Sequence, residues 1–244
     1  PTLVYYKSPV IMTGWQFIRH KVVKGHTDDI THVAWAPGSQ YAATCSKDLS
    51  IHVSSPEGHY RRTDLTTHSK TPIACFFGAD NSTIYIVDRV GLVVVVTYTI
   101  AQKTPATWQR AKASYEKQTG KKAGKYFKYH KILSKKGYWT MERRVKVSPD
   151  GETYPVYSAA YDHKANIMVL ATLRGSFKLV STPDITELQV LSVGRDPLDS
   201  VALGAKGDWL AFGCARLGQL VVWEWRSETY VLKQQGHHAG VQCV

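Results

Sequence analysis

Apolar residues along this chain recur in short runs rather than at helical spacing. Residues 30–35, 41–46, 73–77, 83–87, 92–99, 156–161, 167–173, 177–181, 209–213 and 220–225 are each rich in β-branched and aromatic side chains. That composition suits a pleated surface that is at least half buried. Turn formers separate the runs: Pro37-Gly38-Ser39, Gly78-Ala79-Asp80-Asn81, the 88–91 and 162–166 stretches, and Lys206-Gly207-Asp208. Helical composition is confined to residues 107–117, where Ala, Lys, Gln and Glu predict one short helix. The pattern predicts an all-β chain of many short strands.

Four strand–turn–strand units can be laid over one another: ATCSKDLSIHVS, YIVDRVGLVVVV, LATLRGSFKLVS and FGCARLGQLVVW. The tips of their turns fall at Asp48, Val90, Arg174 and Leu217, at intervals of 42, 84 and 43 residues. A WD-repeat blade is about 40–45 residues long, so the doubled interval holds either two blades or one blade with an insertion. The tract inside it lacks strand alternation, which favours an insertion. Gly25-His26 and Gly236-His237 stand where a repeat opens, and Trp223 stands where the Trp of a Trp-Asp pair belongs. In a standard blade a loop His, a strand Ser or Thr, a turn Asp and that Trp form a hydrogen-bonded network that satisfies buried polar groups. Here only Asp48 keeps the turn acid, and Ser54, Val96 and Val180 replace the Trp, so apolar packing must carry more of the stability.

The expected fold is an all-β WD-repeat β-propeller, a partial ring of about four full blades with strands at each end. Blades are expected over 1–100 and 148–235, a basic insertion over 101–147, and the start of another blade or a second propeller over 236–244. Within that start, residues 241–244 are expected to form its first strand. Trp223 and Trp225 alternate along one run; Trp223 is expected between blades, and Trp225 at a blade edge within reach of a partner.

Charge sharpens the division. The net formal charge is +12, and the 101–147 tract alone holds 14 Lys and Arg against Glu116 and Glu142, which leaves the rest of the chain neutral. Trp108, Tyr115, Tyr126, Phe127, Tyr129, Tyr138 and Trp139 are interleaved with those cations. Lys and Arg neutralise phosphates while aromatic faces stack on unpaired bases, a mixture suited to RNA. A basic stretch meeting an acidic protein, or one pinned to its own propeller by its aromatics, would read the same way. The candidate RNA or partner contacts are Lys121, Lys122, Lys125, Lys128, Lys131, Lys135, Lys136, Arg143 and Arg144, with Tyr126, Phe127 and Tyr129 for stacking. Gly25, His26, Asp48, Trp223, Gly236 and His237 are the structural marks of the repeat.

Other chemistry is not signalled. The chain has no GxSxG elbow, HExxH pair, phosphate loop or GxGxxG after a strand. Its ten histidines are scattered, no paired carboxylates can be argued, and neither a metal, a cofactor nor a small-molecule substrate is expected. Cys45, Cys75, Cys214 and Cys243 are far apart, and the first three lie in strand-like runs, which predicts buried free thiols and a reducing compartment. No apolar run approaches the roughly 18 residues of a membrane span, and residues 1–30 do not read as a secretory leader.

Residues 207–237 carry a more specific signal. Trp223-Glu224-Trp225, the run Tyr230-Val231-Leu232-Lys233-Gln234-Gln235-Gly236-His237, and Ser46-Lys47-Asp48 with its following strand resemble the periodic tryptophan protein 2 family of nucleolar WD-repeat proteins. The basic stretch around Lys125-Tyr126-Phe127-Lys128-Tyr129 is similar to a charged insertion in that family's first propeller. The resemblance implies a non-catalytic scaffold of the small-subunit processome in the nucleolus. Its partners would be other WD-repeat subunits and pre-ribosomal RNA or a small nucleolar ribonucleoprotein, with no membrane. About four units cannot close a ring of about seven blades, so the sequence is expected to be part of a longer protein. The competing reading is a peptide-binding WD-repeat adaptor.

Overall fold

The computed structural model describes residues 2–7, 10–11, 14–15, 18–56, 60–64, 70–100, 137–147, 155–204, 207–237, 241 and 243–244. Four antiparallel sheets of four strands follow one another along the chain. Before them, β1 (Thr2–Lys7) pairs with β4 (Ile18–Lys24), and β2 (Val10–Ile11) pairs with β3 (Gly14–Trp15) between them. The first blade contains β5 (Ile30–Trp35), β6 (Ala42–Ser46), β7 (Ser50–Ser54) and β8 (Tyr60–Asp64). The second contains β9 (Pro72–Phe77), β10 (Thr83–Asp88), β11 (Leu92–Ile100) and β12 (Gly137–Lys146). The third is β13 (Val156–Asp162), β14 (Ile167–Thr172), β15 (Ser176–Ser181) and β16 (Thr186–Ser192). The fourth is β17 (Ser200–Leu203), β18 (Trp209–Cys214), β19 (Gln219–Glu224) and β20 (Thr229–Gln235). Each of the four superimposable sequence units is the central hairpin of one blade.

The central strands are apolar without alternation because both of their faces are covered. In β11, Val94 and Val96 join the core between the first and second blades, while Val93 and Val95 join the core between the second and third. In β10, Ile84 and Ile86 take the first direction, and Tyr85 and Val87 the second. β14 divides likewise: Met168 and Leu170 face the second blade, and Ile167, Val169 and Ala171 face the fourth. A strand between two packed layers reads as a continuous apolar run, whereas one with a wet face alternates. The outer strands are wet: every residue of β20 is exposed, and β16 is exposed at five of its seven positions and buried at none.

Side chains also bolt neighbouring blades together at the repeat distance. Thr31 Oγ1 donates to the Pro72 carbonyl at 2.7 Å, and Ser158 Oγ to the Leu198 carbonyl at 2.9 Å, partners 41 and 40 residues apart. The Tyr5 hydroxyl hydrogen-bonds Ser54 Oγ at 2.7 Å and so ties β1 to the third strand of the first blade. Lys178, almost fully buried, donates from Nζ to the Val147 carbonyl at 2.6 Å and thereby satisfies a cation that would otherwise be costly to bury.

Several sequence expectations are corrected. Residues 137–146, assigned to the basic insertion, are the outer strand of the second blade and pair with β11 from Lys146↔Leu92 to Gly137↔Ile100. Trp139, grouped with the tract's stacking aromatics, packs on the core between the first two blades, 5.2 Å from Tyr98. An outer strand with one wet face tolerates the Lys and Arg that disguised it. Val241, Cys243 and Val244 lie outside any strand: the methyls of Val241 and Val244 sit against Gly213, and no strand among the described residues offers them a ladder. Trp225 lies just past β19 and packs inward, its indole N–H donating to the Gly207 carbonyl at 2.8 Å. The expected helix over 107–117 lies outside the described residues.

Candidate docking face

Antiparallel pairing places the start of each inner strand and the turn between the second and third strands at the same end of every blade. In the first three blades these turns repeat one construction. The first turn N–H donates to the carbonyl just before the inner strand: Lys47 to Asp29 at 3.0 Å, Arg89 to Thr71 at 3.2 Å, and Leu173 to Pro155 at 3.2 Å. The last residue of the second strand accepts the next N–H but one through its side chain. Ser46 accepts from Asp48 at 3.2 Å, Asp88 from Val90 at 2.9 Å, and Thr172 from Arg174 at 3.3 Å. Such local side-chain acceptors fix tight turns. The third turn residue has positive φ, at 61° for Leu49, 76° for Gly91 and 72° for Gly175. At Gly175 a Cβ would lie 2.6 Å from the Gly194 carbonyl oxygen, so glycine is needed for space as well as conformation.

The fourth blade reaches the same end differently. Cys214 offers no such acceptor; instead Asp199 Oδ2 accepts from the Ala215 N–H at 2.6 Å, and Ala215–Leu217 forms a 3-10 turn closed by Gly218. Each of the four turns thus projects one exposed cation at this end: Lys47, Arg89, Arg174 and Arg216.

The first blade retains the polar network. His26 Nδ1 meets Asp48 Oδ2 at 3.1 Å, and Nε2 meets Thr44 Oγ1 at 2.8 Å. Asp48 Oδ2 also accepts from the Thr27 N–H at 2.9 Å, while Oδ1 accepts from the Ser50 N–H at 2.9 Å and the Ser50 hydroxyl at 2.6 Å. With His26 donating from Nδ1, the Thr44 hydroxyl donates to Nε2, which fixes the tautomer. Burial acts to raise the Asp48 pKa, but the hydrogen bonds from Ser50, Thr27 and His26 outweigh it and hold the carboxyl well below the ordinary carboxylate range. His52 stacks on His26, with ring centroids 3.7 Å apart.

In the other blades the place of Thr44 is taken by Ile86, Leu170 and Phe212, each fully buried. Hydrocarbon packing has replaced the network there. The replacement leaves one residue of the old arrangement stranded: Trp223 is buried against Tyr230, and its indole Nε1 has no hydrogen-bond partner among the described residues.

Between the first three blades, at the turn end, an open cleft of about 540 Å³ is lined by Asp29, Lys47, Thr71, Ile73, Arg89 and Tyr157, among others. Lys47 Nζ pairs with Asp29 at 2.9 Å, and this pair keeps the Asp29 carboxyl below its usual range. The Arg89 guanidinium lies 5.6 Å over the Tyr157 ring.

Lys121, Lys122, Lys125, Tyr126, Phe127, Lys128, Tyr129, Lys131, Lys135 and Lys136 lie outside the described residues. Arg143 turns toward the third blade, where its guanidinium donates to the Pro183 carbonyl and lies 3.9 Å from Asp184, so it is engaged within the protein. Arg144 is exposed on β12, its Nε 3.1 Å from the Met141 sulfur. His26 and Asp48 meet in the first blade, whereas Gly236 and His237 are exposed. Sequence reasoning missed Asp88 and Thr172, the anchors of the second and third turns. A signal existed: Ser46, Asp88, Thr172 and Cys214 recur at intervals of 42, 84 and 42 residues, two residues before the first three turn tips and three before the last.

Comparison with known proteins agrees with this architecture. The WD domain, G-beta repeat profile matches residues 18–53, the blade that keeps the His26–Asp48 network. The solved RRP9 WD40 repeats superimpose with a TM-score of 0.65 over 91% of this chain and 56% of that one, at 16% identity; the U3-55K structure gives the same score over 57% of its chain. By fold and repeat, the chain is a WD-repeat β-propeller protein. Periodic tryptophan protein 2 of Saccharomyces cerevisiae is 33% identical over 96% of the chain, and the mouse homologue is 31% identical over 91%. Within its class the chain is a periodic tryptophan protein 2 homologue, spanning about a quarter of those relatives' length, 24% and 26% respectively.

Proposed function

We propose that the chain is a non-catalytic scaffold of a nucleolar pre-ribosomal particle. It supports small-subunit ribosomal RNA processing and assembly through other WD-repeat subunits and through pre-ribosomal RNA or a small nucleolar ribonucleoprotein. The observation that carries this reading is the similarity to periodic tryptophan protein 2 along 96% of the chain, rather than within one blade. The basic 101–136 tract leaves and re-enters the second blade at the paired residues Ile100 and Gly137, away from the turn that carries Arg89.

Crosslinking in cells tests the proposal. Ultraviolet crosslinking of the tagged protein is expected to recover pre-ribosomal RNA, with crosslinked peptides concentrated in residues 101–136. Microscopy is expected to place the protein in the nucleolus. Absence of RNA, together with recovery of one tightly bound protein at the turn end, would overturn this reading in favour of the peptide-binding adaptor.

A further inference from the structure

The four basic turn residues are not equivalent. Lys47 is already held by Asp29 at 2.9 Å, and Arg216 faces Asp196 at 3.7 Å. Arg89 has no carboxylate partner among the described residues; it rests over the Tyr157 ring, and its charge is close enough to oppose that of Lys47. Its backbone is fixed from both sides, the N–H donating to the Thr71 carbonyl at 3.2 Å and the carbonyl accepting from Val156 at 2.9 Å. A guanidinium held over a ring keeps its donor fork open for a planar acceptor, and a backbone clamped by two blades loses little freedom on binding.

We propose that the cleft between the first three blades docks an extended acidic segment of a partner protein, with Arg89 taking a carboxylate and Tyr157 and Ile73 forming the apolar wall. The volume, about 540 Å³, lies within the range of sites that enclose a few side chains. The charge pattern selects peptide over RNA. A nucleic-acid strand needs a row of open cations to follow its phosphates, whereas this cleft offers Arg89 beside an Asp29 whose own cation is already engaged. Asp29 repels a polyanion, yet it can accept N–H groups from a peptide backbone. One carboxylate next to an apolar side chain complements this arrangement. The inference does not depend on the pre-ribosomal assignment, because it rests on the cleft alone.

The test is selection of a displayed library of random dodecapeptides on the full chain, followed by affinity measurements with the most enriched synthetic peptide. Enriched peptides are expected to carry Asp or Glu beside an apolar residue. The best of them should lose roughly tenfold or more in affinity on Arg89→Gln, and equally on changing its own acid to the amide. Tyr157→Ala should weaken binding as well, while Arg144→Gln on the outer strand should leave it unchanged. Arg89→Gln should melt with the wild type, since the bonds that fix its turn are made by backbone. The proposal is overturned if acidic peptides are not enriched, if Arg89→Gln binds them as well as wild type, or if a short oligouridylate displaces them in an Arg89-dependent way.

Discussion

Asp48→Asn tests the physical account of the first blade most directly. The substitution preserves shape and leaves an oxygen able to accept from the Ser50 N–H and hydroxyl, but it turns an amide NH2 toward Thr27 N and His26 Nδ1, which lie 2.9 and 3.1 Å from the present Oδ2. Two charge-assisted hydrogen bonds become donor–donor contacts. His26 can relieve one by changing tautomer, but it then presents an N–H to Thr44, which must reorient its hydroxyl in turn. The expected loss is about 2–4 kcal/mol at neutral pH, measured by urea unfolding of the full chain. Asp48→Ala should cost about 3–5 kcal/mol, because it leaves every one of those donors without its acceptor. The pH dependence provides a second readout with a definite sign. The folded carboxyl titrates below its unfolded value of about 3.9, so its contribution is complete above about pH 5 and is lost as pH falls through 4 and below. The stability gap between wild type and Asp48→Asn should therefore narrow on acidification. A variant within about 0.5 kcal/mol of wild type at neutral pH, or a gap that stays constant into strong acid, would refute the network as a source of stability.

Three further outcomes are expected. Trp223→Phe should lie within about 1 kcal/mol of wild type, since it removes a buried donor that has no partner among the described residues along with some packing, whereas Trp223→Ala should cost about 3–5 kcal/mol; equal losses in urea unfolding would mean that the indole N–H has a partner. Gly175→Ala should destabilise by roughly 2–4 kcal/mol because the new Cβ meets the Gly194 carbonyl at 2.6 Å with φ at 72°; a neutral result in thermal melts would show that the turn can shift. If the basic tract touches single-stranded RNA, binding should weaken with salt at a log–log slope of roughly −0.7 per phosphate, and neutralising Lys121, Lys122 and Lys125 together should flatten it. Changes at Tyr126, Phe127 or Tyr129 should then cost roughly 1–3 kcal/mol of affinity per stacked base with little change in slope; loss of thermal stability instead would make those rings a structural brace.

The strands that could be read from sequence are the central ones, covered on both faces, together with the inner strands β5, β9 and β13, which are rich in β-branched and aromatic residues. Val93–Val96 announce a core strand because two seams demand apolar residues from alternate positions. The outer strands β12, β16 and β20 went unread, since a strand paired along one edge and wet on one face can be built from Arg, Glu, Lys and Gln. Asp48 and His26 were legible because they match the standard blade, while Asp88 and Thr172 were not, because they do the same work two residues earlier in the turn.

What the sequence by itself determined is the repeat: the length of each unit, the apolar central hairpins, the glycines and small polar residues of the turns, and the place where charge accumulates. These are local matters, set by backbone conformation and by which residues tolerate burial. Tertiary structure decided which cations remain open. Lys47, Arg89 and Arg216 occupy similar positions in their own turns, and nothing in their immediate sequence separates them. The difference lies in what the neighbouring loop or blade brings near: Asp29 to Lys47, Asp196 to Arg216, and the Tyr157 ring to Arg89. Electrostatic and aromatic contacts act across space at a few ångströms, so the character of such a site is set by how the blades stand side by side and cannot be read along a single one.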